Sequence, residues 1–204
     1  MRNIQKEKGK LFVISGPSGA GKGTVCRRLI EEGVAEVSIS MTTRKPRPGE
    51  VNGREYFFVN TEEFKESIAK GELLEYAHVF DNMYGTPKKA VMRKLNKGKN
   101  VVLEIDVQGG LQVKRAMPET VMIFLLPPDL KTLHDRIVGR KTETEDAIIK
   151  RSQEALNEIK LLGEYDYYVI NDDIDMAVVD VENIIKAERL RVPDKVKPII
   201  RKYE

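Results

Sequence analysis

Apolar residues in this chain gather in short runs separated by charged stretches. Leu11-Phe12-Val13-Ile14, Val37-Ser38-Ile39-Ser40, Val101–Ile105, Val121–Leu126 and Tyr167–Ile170 each read as a strand. Two of them, Val101-Val102-Leu103 and Val121-Met122-Ile123-Phe124-Leu125-Leu126, are continuous rather than alternating. A strand that alternates keeps one face in water, whereas an unbroken run is covered on both. The pattern predicts an α/β fold, a parallel core sheet with helices on both faces. Ligands of such sheets collect at the carboxyl ends of the strands.

A different period marks the helices. Over Lys22–Glu32, Val25, Cys26, Leu29 and Ile30 fall on one side, and Gly33 ends the element. Thr61–Lys70 reads as a second helix, with Thr61 as its N-cap and Phe64 and Ile68 on one face. About 60 residues separate the second and third core strands, far more than one crossover needs. That stretch has its own strand signal at Glu55–Val59 and a Gly-Thr-Pro turn at 85–87. It reads as an inserted substrate lobe over about 42–98. A second charged insertion, about 129–151, follows Pro127-Pro128 and reads as a lid; a charged tail occupies 191–204. The core then covers about 10–41, 99–128 and 152–190, all in one domain of 204 residues. Two charged insertions on one rigid core predict closure in two stages.

Between the first strand and the first helix lies Gly16-Pro17-Ser18-Gly19-Ala20-Gly21-Lys22-Gly23-Thr24. Strand, glycine-rich turn and helix in that order make a phosphate cradle. Its backbone N–H groups converge on one anion, and the helix start adds the positive end of a dipole. Lys22 brings a full charge to the outer phosphates and is expected to stand in solvent when no ligand is present. The usual cradle has Ser or Thr directly after the lysine, where a hydroxyl can reach magnesium. Here Gly23 takes that place and Thr24 follows. The displaced hydroxyl is expected to meet a phosphate rather than the metal. This spacing resembles the nucleoside monophosphate kinases, adenylate kinases and many bacterial guanylate kinases among them.

Composition narrows the classes. The formal net charge of +3 is too small to argue for nucleic acid as a partner. No apolar run reaches about 18 residues, which argues against a membrane span. Met1–Lys10 is charged and carries no signal-like apolar stretch. The single cysteine, Cys26, excludes an internal disulfide. Together these predict a cytoplasmic location. A homo-oligomer is left open.

The inserted lobe opens with Thr42-Thr43-Arg44-Lys45-Pro46-Arg47-Pro48-Gly49-Glu50-Val51-Asn52-Gly53-Arg54-Glu55-Tyr56-Phe57-Phe58-Val59. Two guanidinium forks and a phenol can surround a phosphate monoester. Arginines and prolines in a polar loop are, more commonly, only a solvated loop. Here the stretch resembles the guanylate kinase signature. The likeness extends to Leu74-Glu75-Tyr76, Tyr84-Gly85-Thr86, Leu103-Glu104-Ile105-Asp106-Val107-Gln108-Gly109, Arg136-Ile137-Val138-Gly139-Arg140 and Val169-Ile170-Asn171-Asp172. It spans roughly residues 10 to 190 with every motif in order.

The resemblance implies the P-loop nucleoside monophosphate kinase fold, with a five-stranded parallel core, a GMP-binding lobe and a lid. It implies magnesium-dependent transfer of the γ-phosphoryl group of ATP to GMP or dGMP. ATP would lie on the cradle, Gly16 to Thr24, with Asn171 as a further contact. Arg44, Arg47, Tyr56 and Tyr84 would hold the GMP phosphate. Ser40, Glu75, Thr86 and Asp106 would read guanine, with Glu104 beside them. Arg136, Arg140 and Arg151 would close over ATP. Lys22, Arg44 and the three lid arginines would stabilise the transferring charge. Magnesium would be held through phosphates and water, near Glu104, with no direct protein ligand expected. Lys141 stands where the family has glycine.

Each residue also has a plainer reading. Glu75 would be a solvated carboxylate at a helix end, and Glu104 would be bonded to loop N–H groups. Glu104 and Asp106, two apart at the end of a strand, would share one face. Arg136 and Arg140, four apart, would share a basic helix face. Two other functions stay open at this point: a kinase for another small phosphate acceptor, and a non-catalytic guanylate-kinase-like module that binds phosphoproteins.

Overall fold

In the computed structural model, residues 8–79, 81–138, 145–192, 196, 200–201 and 203–204 are described, save the side chains of Ile137 and of residues 145–150. Five strands form the core sheet: β1 (Leu11–Ser15), β2 (Glu36–Val37), β7 (Val101–Glu104), β8 (Val121–Leu126) and β9 (Tyr167–Ile170). Their order is β2-β7-β1-β8-β9, and every pairing is parallel. β1 is central and wholly buried. Its register sets Ile14 opposite Glu104 on one side and Ile123 on the other.

One face of this sheet packs Phe12, Ile14, Ile123 and Leu125 against α1 (Lys22–Glu31) and α7 (Ile174–Glu188). The other packs Leu11, Val13, Val101 and Leu103 against α3 (Lys88–Asn96) and α4 (Val107–Ala116). Because consecutive strand residues point to opposite faces, an unbroken apolar run supplies both layers.

A second sheet, ordered β4-β3-β6-β5, carries the insertion. It consists of β3 (Met41–Thr42), β4 (Phe57–Phe58), β5 (Leu73–Val79) and β6 (Asn82–Pro87), with α2 (Thr61–Ala69) between β4 and β5. α3 lies within the expected lobe span, yet it buries Val91 and Leu95 in the core layer. The β5–β6 hairpin replaces two expectations. Glu75 is on a strand rather than at a helix end, and Gly85-Thr86-Pro87 is strand rather than turn. Pairing across the hairpin overrode the local turn chemistry of glycine and proline. The Val37–Ser40 run also divides: β2 stops at Val37, and the chain crosses into the second sheet at Met41. The cap of α2 is Asn60 rather than Thr61. Its side chain accepts the Glu63 N–H at 2.8 Å while Glu63 accepts the Asn60 N–H at 3.0 Å, a reciprocal capping box.

α5 (Leu130–Val138) and the start of α6 (Glu145–Ile159) fall within the expected lid span, and a 3₁₀ turn at Leu162–Glu164 leads into β9. Lys10 and Tyr167 both donate to the buried Glu188, at 2.8 and 2.7 Å, which ties the last turn of α7 to β1 and β9. Among the described residues no helix is long and apolar enough to cross a membrane.

Cys26 is buried in the α1 layer, and burial, followed by the charge of Glu104, pushes its thiol up to about 12. Only the thiolate attacks disulfide reagents. With a pKa near 12, roughly one thiol in 10,000 is ionised at pH 8. The native protein is therefore expected to be inert to an aromatic disulfide at pH 8 and to titrate one thiol once unfolded in guanidinium. Rapid labelling of the native chain would contradict this packing.

Candidate active site

The cradle emerges from the carboxyl end of β1. Gly16 has φ 144°, and a Cβ there would overlap the Leu125 carbonyl oxygen of β8. Any side chain would push the turn off the sheet. Gly21, with φ 93°, is the N-cap of α1 and has no side-chain cap bond, so the first N–H groups of the helix stay available for an anion. A cavity of about 490 Å³ lies over the loop, lined by Ser18, Gly19, Gly21, Lys22, Gly23, Thr24, Arg27 and Glu104.

Lys22 does not stand free in solvent as expected. It is half-buried and donates to Gly16 O and, at 3.1 Å, to Pro17 O. Burial lowers its pKa; Glu158, Glu104 and Asp106 act against that. The ammonium folds back because, without an anion, loop carbonyls are the nearest acceptors. Gly23 has a role in this geometry. A Cβ there would lie 3.2 Å from Glu104 Oε1, so the missing side chain makes room for that carboxylate beside the cradle.

Glu104 and Asp106 do not share a strand face. β7 ends at Glu104, and Asp106 is the N-cap of α4, its Oδ1 accepting the Gly109 N–H at 2.7 Å. The turn into α4 redirects the second carboxylate. Asp106 nonetheless comes close to Glu75 of the second sheet. A Cβ on Gly109 would lie 3.3 Å from Glu75 Oε2 and 3.5 Å from Asp106 Oδ1, so one glycine abuts both carboxylates.

Glu75 is 7% exposed and accepts the Thr86 hydroxyl at 2.6 Å across the hairpin. Burial, reinforced by Asp106 and opposed by Thr86, raises its pKa above the ordinary carboxylate range. A second bridge fastens this strand to the core: Tyr76 N–H donates to Gln112 Oε1 and Gln112 Nε2 to Tyr76 O, both at 3.2 Å. Gln112 is on α4, the helix that Asp106 caps.

The lobe's cationic group is pre-assembled. Arg44 lies over the rings of Tyr56, at 5.4 Å, and Phe58, at 5.6 Å. Tyr56 meets Tyr84 edge to face at 5.9 Å. Arg44 donates two forked bonds to Glu50, at 2.9 and 3.0 Å, and the Arg47 N–H donates to the same carboxylate at 2.7 Å. These partners, Arg44 first, hold the Glu50 carboxyl below its ordinary range. The Arg47 side chain is exposed, and Ser40, half-buried, accepts the Phe57 N–H through its carbonyl.

On the lid side, Arg136 Nη2 donates to Asn171 O at 3.0 Å. Arg151 is half-buried on α6, seven residues before Glu158 and so on the same face. Arg140 and Lys141 lie outside the described residues. Asn171 is buried, and its Nδ2 donates to Ala20 O at 2.7 Å.

Two residues were missed by sequence reasoning. Glu50 sits three places after Arg47 within the arginine loop, and that spacing was the signal available. Glu158 has no local signal; α6 returns it from the far side of the lid to face Lys22, and its own pKa is raised by burial. Among the described residues no group of three or more His, Cys, Asp or Glu could by itself hold a metal ion.

The guanylate kinase family model matches residues 8–188. A guanylate kinase of Clostridioides difficile is 51% identical over 199 residues, 97% of each chain. One from Caldanaerobacter subterraneus is 54% identical over 188 residues, 92% of this chain and 91% of the relative. The crystal structure of guanylate kinase from Anaplasma phagocytophilum superposes with a TM-score of 0.71 at 34% identity, covering 91% of this chain and 89% of that one. A matching family model, relatives sharing half of all residues over almost the whole length, and a solved guanylate kinase that superposes over nine tenths of the chain leave one conclusion: the chain belongs to the guanylate kinase family.

Proposed function

We infer that this protein transfers the γ-phosphoryl group of ATP to GMP, giving ADP and GDP. The observation that supports the acceptor's identity is Glu75, a buried carboxylate with one oxygen bonded by Thr86 and the other beside Gly109. Guanine presents two adjacent donors, N1–H and the 2-amino group, and an ionised carboxylate only accepts. Adenine has an acceptor at N1 and would leave that charge buried and unpaired. Asp106 lies close enough to extend the same acceptor edge.

The nucleophile needs no general base. A phosphate monoester has a second pKa of about 6, so GMP is mostly dianionic at neutrality. The barrier is the approach of two anions and the charge that develops in transfer, so catalysis is positioning and cations. Arg44, held over the rings of Tyr56 and Phe58, gives its fork to the GMP phosphate by exchanging Glu50 for it. Arg47 and the hydroxyls of Tyr56 and Tyr84 complete that cradle, and Ser40 and Thr86 frame the base. Lys22 leaves the loop carbonyls for the outer phosphates of ATP. Arg136, Arg140 and Arg151 act from the lid, whose closure excludes water.

Magnesium fits the P-loop cavity beside Glu104, whose carboxylate the missing side chain of Gly23 admits. Bound there, it would neutralise phosphate charge. Glu104 would orient its water, and Thr24 would contact a phosphate. The intact cradle and the lid arginines favour an enzyme over a phosphoprotein-binding module.

Lys22→Met removes one preorganised charge. Losing such a contact typically costs about 3 kcal/mol or more in the transition state. An ADP-release assay should show turnover down at least 100-fold, with an unchanged circular dichroism spectrum. Turnover within tenfold of wild type would refute the role.

Glu75→Gln tests the base reading and has an opposite effect on stability. Its raised folded pKa means that the ionised form is penalised by folding. That penalty is absent below the unfolded pKa and grows as pH rises through the folded one. Glu75→Gln should therefore melt higher than wild type at pH 7, with the gap closing towards pH 4. Its efficiency with GMP should fall at least tenfold, because an amide donor meets a guanine donor, while KM for ATP stays put. An unchanged GMP to AMP efficiency ratio would assign guanine reading to Ser40, Thr86 and Asp106 instead.

A further inference from the structure

Asn171 stands where the cradle, the sheet and the lid meet. Its N–H donates to Leu126 O at 2.7 Å at the carboxyl edge of β8. Its carbonyl accepts Arg136 Nη2 of α5 at 3.0 Å. Its side-chain Nδ2 donates to Ala20 O at 2.7 Å, across 151 positions of sequence. The residue is 4% exposed, and a Cβ on Gly21 would overlap its Nδ2. Packing and bonding thus leave the amide one orientation against the loop.

A trans peptide is planar, with its C=O and the following N–H pointing in opposite directions. Holding the Ala20 oxygen therefore aims the Gly21 N–H the other way. Gly21 can occupy that peptide only because it lacks a side chain on both counts: its φ is 93°, and the Asn171 amide fills the space a Cβ would need. An amide suits the position because Nδ2 is a pure donor. A carboxylate there would face a carbonyl oxygen with another acceptor.

We propose that Asn171 is a positioning residue of the phosphate cradle: its side chain fixes the Ala20–Gly21 peptide, and its carbonyl anchors Arg136 to the same point. This rests on the kinase reading, in which the loop binds the triphosphate of ATP. It differs from a contact to adenine in what it predicts. A base contact strengthens nucleotides only, whereas a cradle latch strengthens any polyphosphate.

The test is calorimetric titration of wild type and Asn171→Asp with magnesium-ATP and with magnesium-tripolyphosphate, which has no base. Both affinities should fall by the same factor, at least tenfold, with KM for ATP raised and KM for GMP unchanged. Weakened ATP binding with tripolyphosphate affinity within twofold of wild type would overturn the latch and leave the kinase reading intact. Wild type that bound neither ligand would overturn both. A second measurement needs no variant. In ¹⁵N-labelled wild type the Asn171 side-chain amide should exchange slowly with solvent and shift when tripolyphosphate alone is added. A fast-exchanging amide, or one that shifts with ATP but not with tripolyphosphate, would overturn the proposal.

Discussion

The site depends on the burial of β1 between β7 and β8. A strand paired on both sides and covered on both faces cannot tilt, so whatever leaves its carboxyl end leaves from a fixed point. Gly16 departs against the Leu125 carbonyl, closer than any side chain allows, and the cradle begins there. The neighbouring strands end at the same edge. β7 delivers Glu104 and then Asp106, and β9 delivers Asn171. Four groups from distant parts of the sequence meet because parallel strands run out together.

The second sheet solves a different problem. Under the proposed function a carboxylate recognises guanine, and a buried charge is unfavourable unless bonded. Thr86 supplies one bond to Glu75 from the paired strand, and Gly109 leaves room for the other oxygen. The two Tyr76–Gln112 hydrogen bonds then tie that strand to α4, so Glu75 and Asp106 are held to the same helix. The raised Glu75 pKa is the stability cost of that arrangement.

Cations among the described residues of the site show a feature that electrostatics alone would not suggest. Three of them have partners of their own: Lys22 holds two loop carbonyls, Arg44 holds Glu50, and Arg136 holds the Asn171 carbonyl. Partnered cations are kept in place, and under the proposed function their internal bonds would be exchanged for phosphate oxygens rather than created from solvent. That lowers the reorganisation needed when the highly charged substrates arrive.

The cradle and the parallel core were legible in the sequence because each depends on local spacing, whereas the arginine loop stood out only through its likeness to a family signature. Glycines at fixed offsets, unbroken apolar runs and a helical period need no knowledge of the rest of the chain. Where sequence logic failed, a distant partner had intervened. The β5–β6 hairpin turned Gly85-Thr86-Pro87 into strand, and α4 took Asp106 as its cap. Lys22 found carbonyls instead of water. Glu50 could be placed near Arg44 from spacing, but not as a two-pronged partner. Glu158 and the latch from Asn171 to Ala20 could not be read at all, since each joins residues more than 100 positions apart. Residue types and local order determined which chemistry this chain carries; long-range packing decided which atoms face one another, because hydrogen bonds and buried charges depend on distance in space and not along the chain.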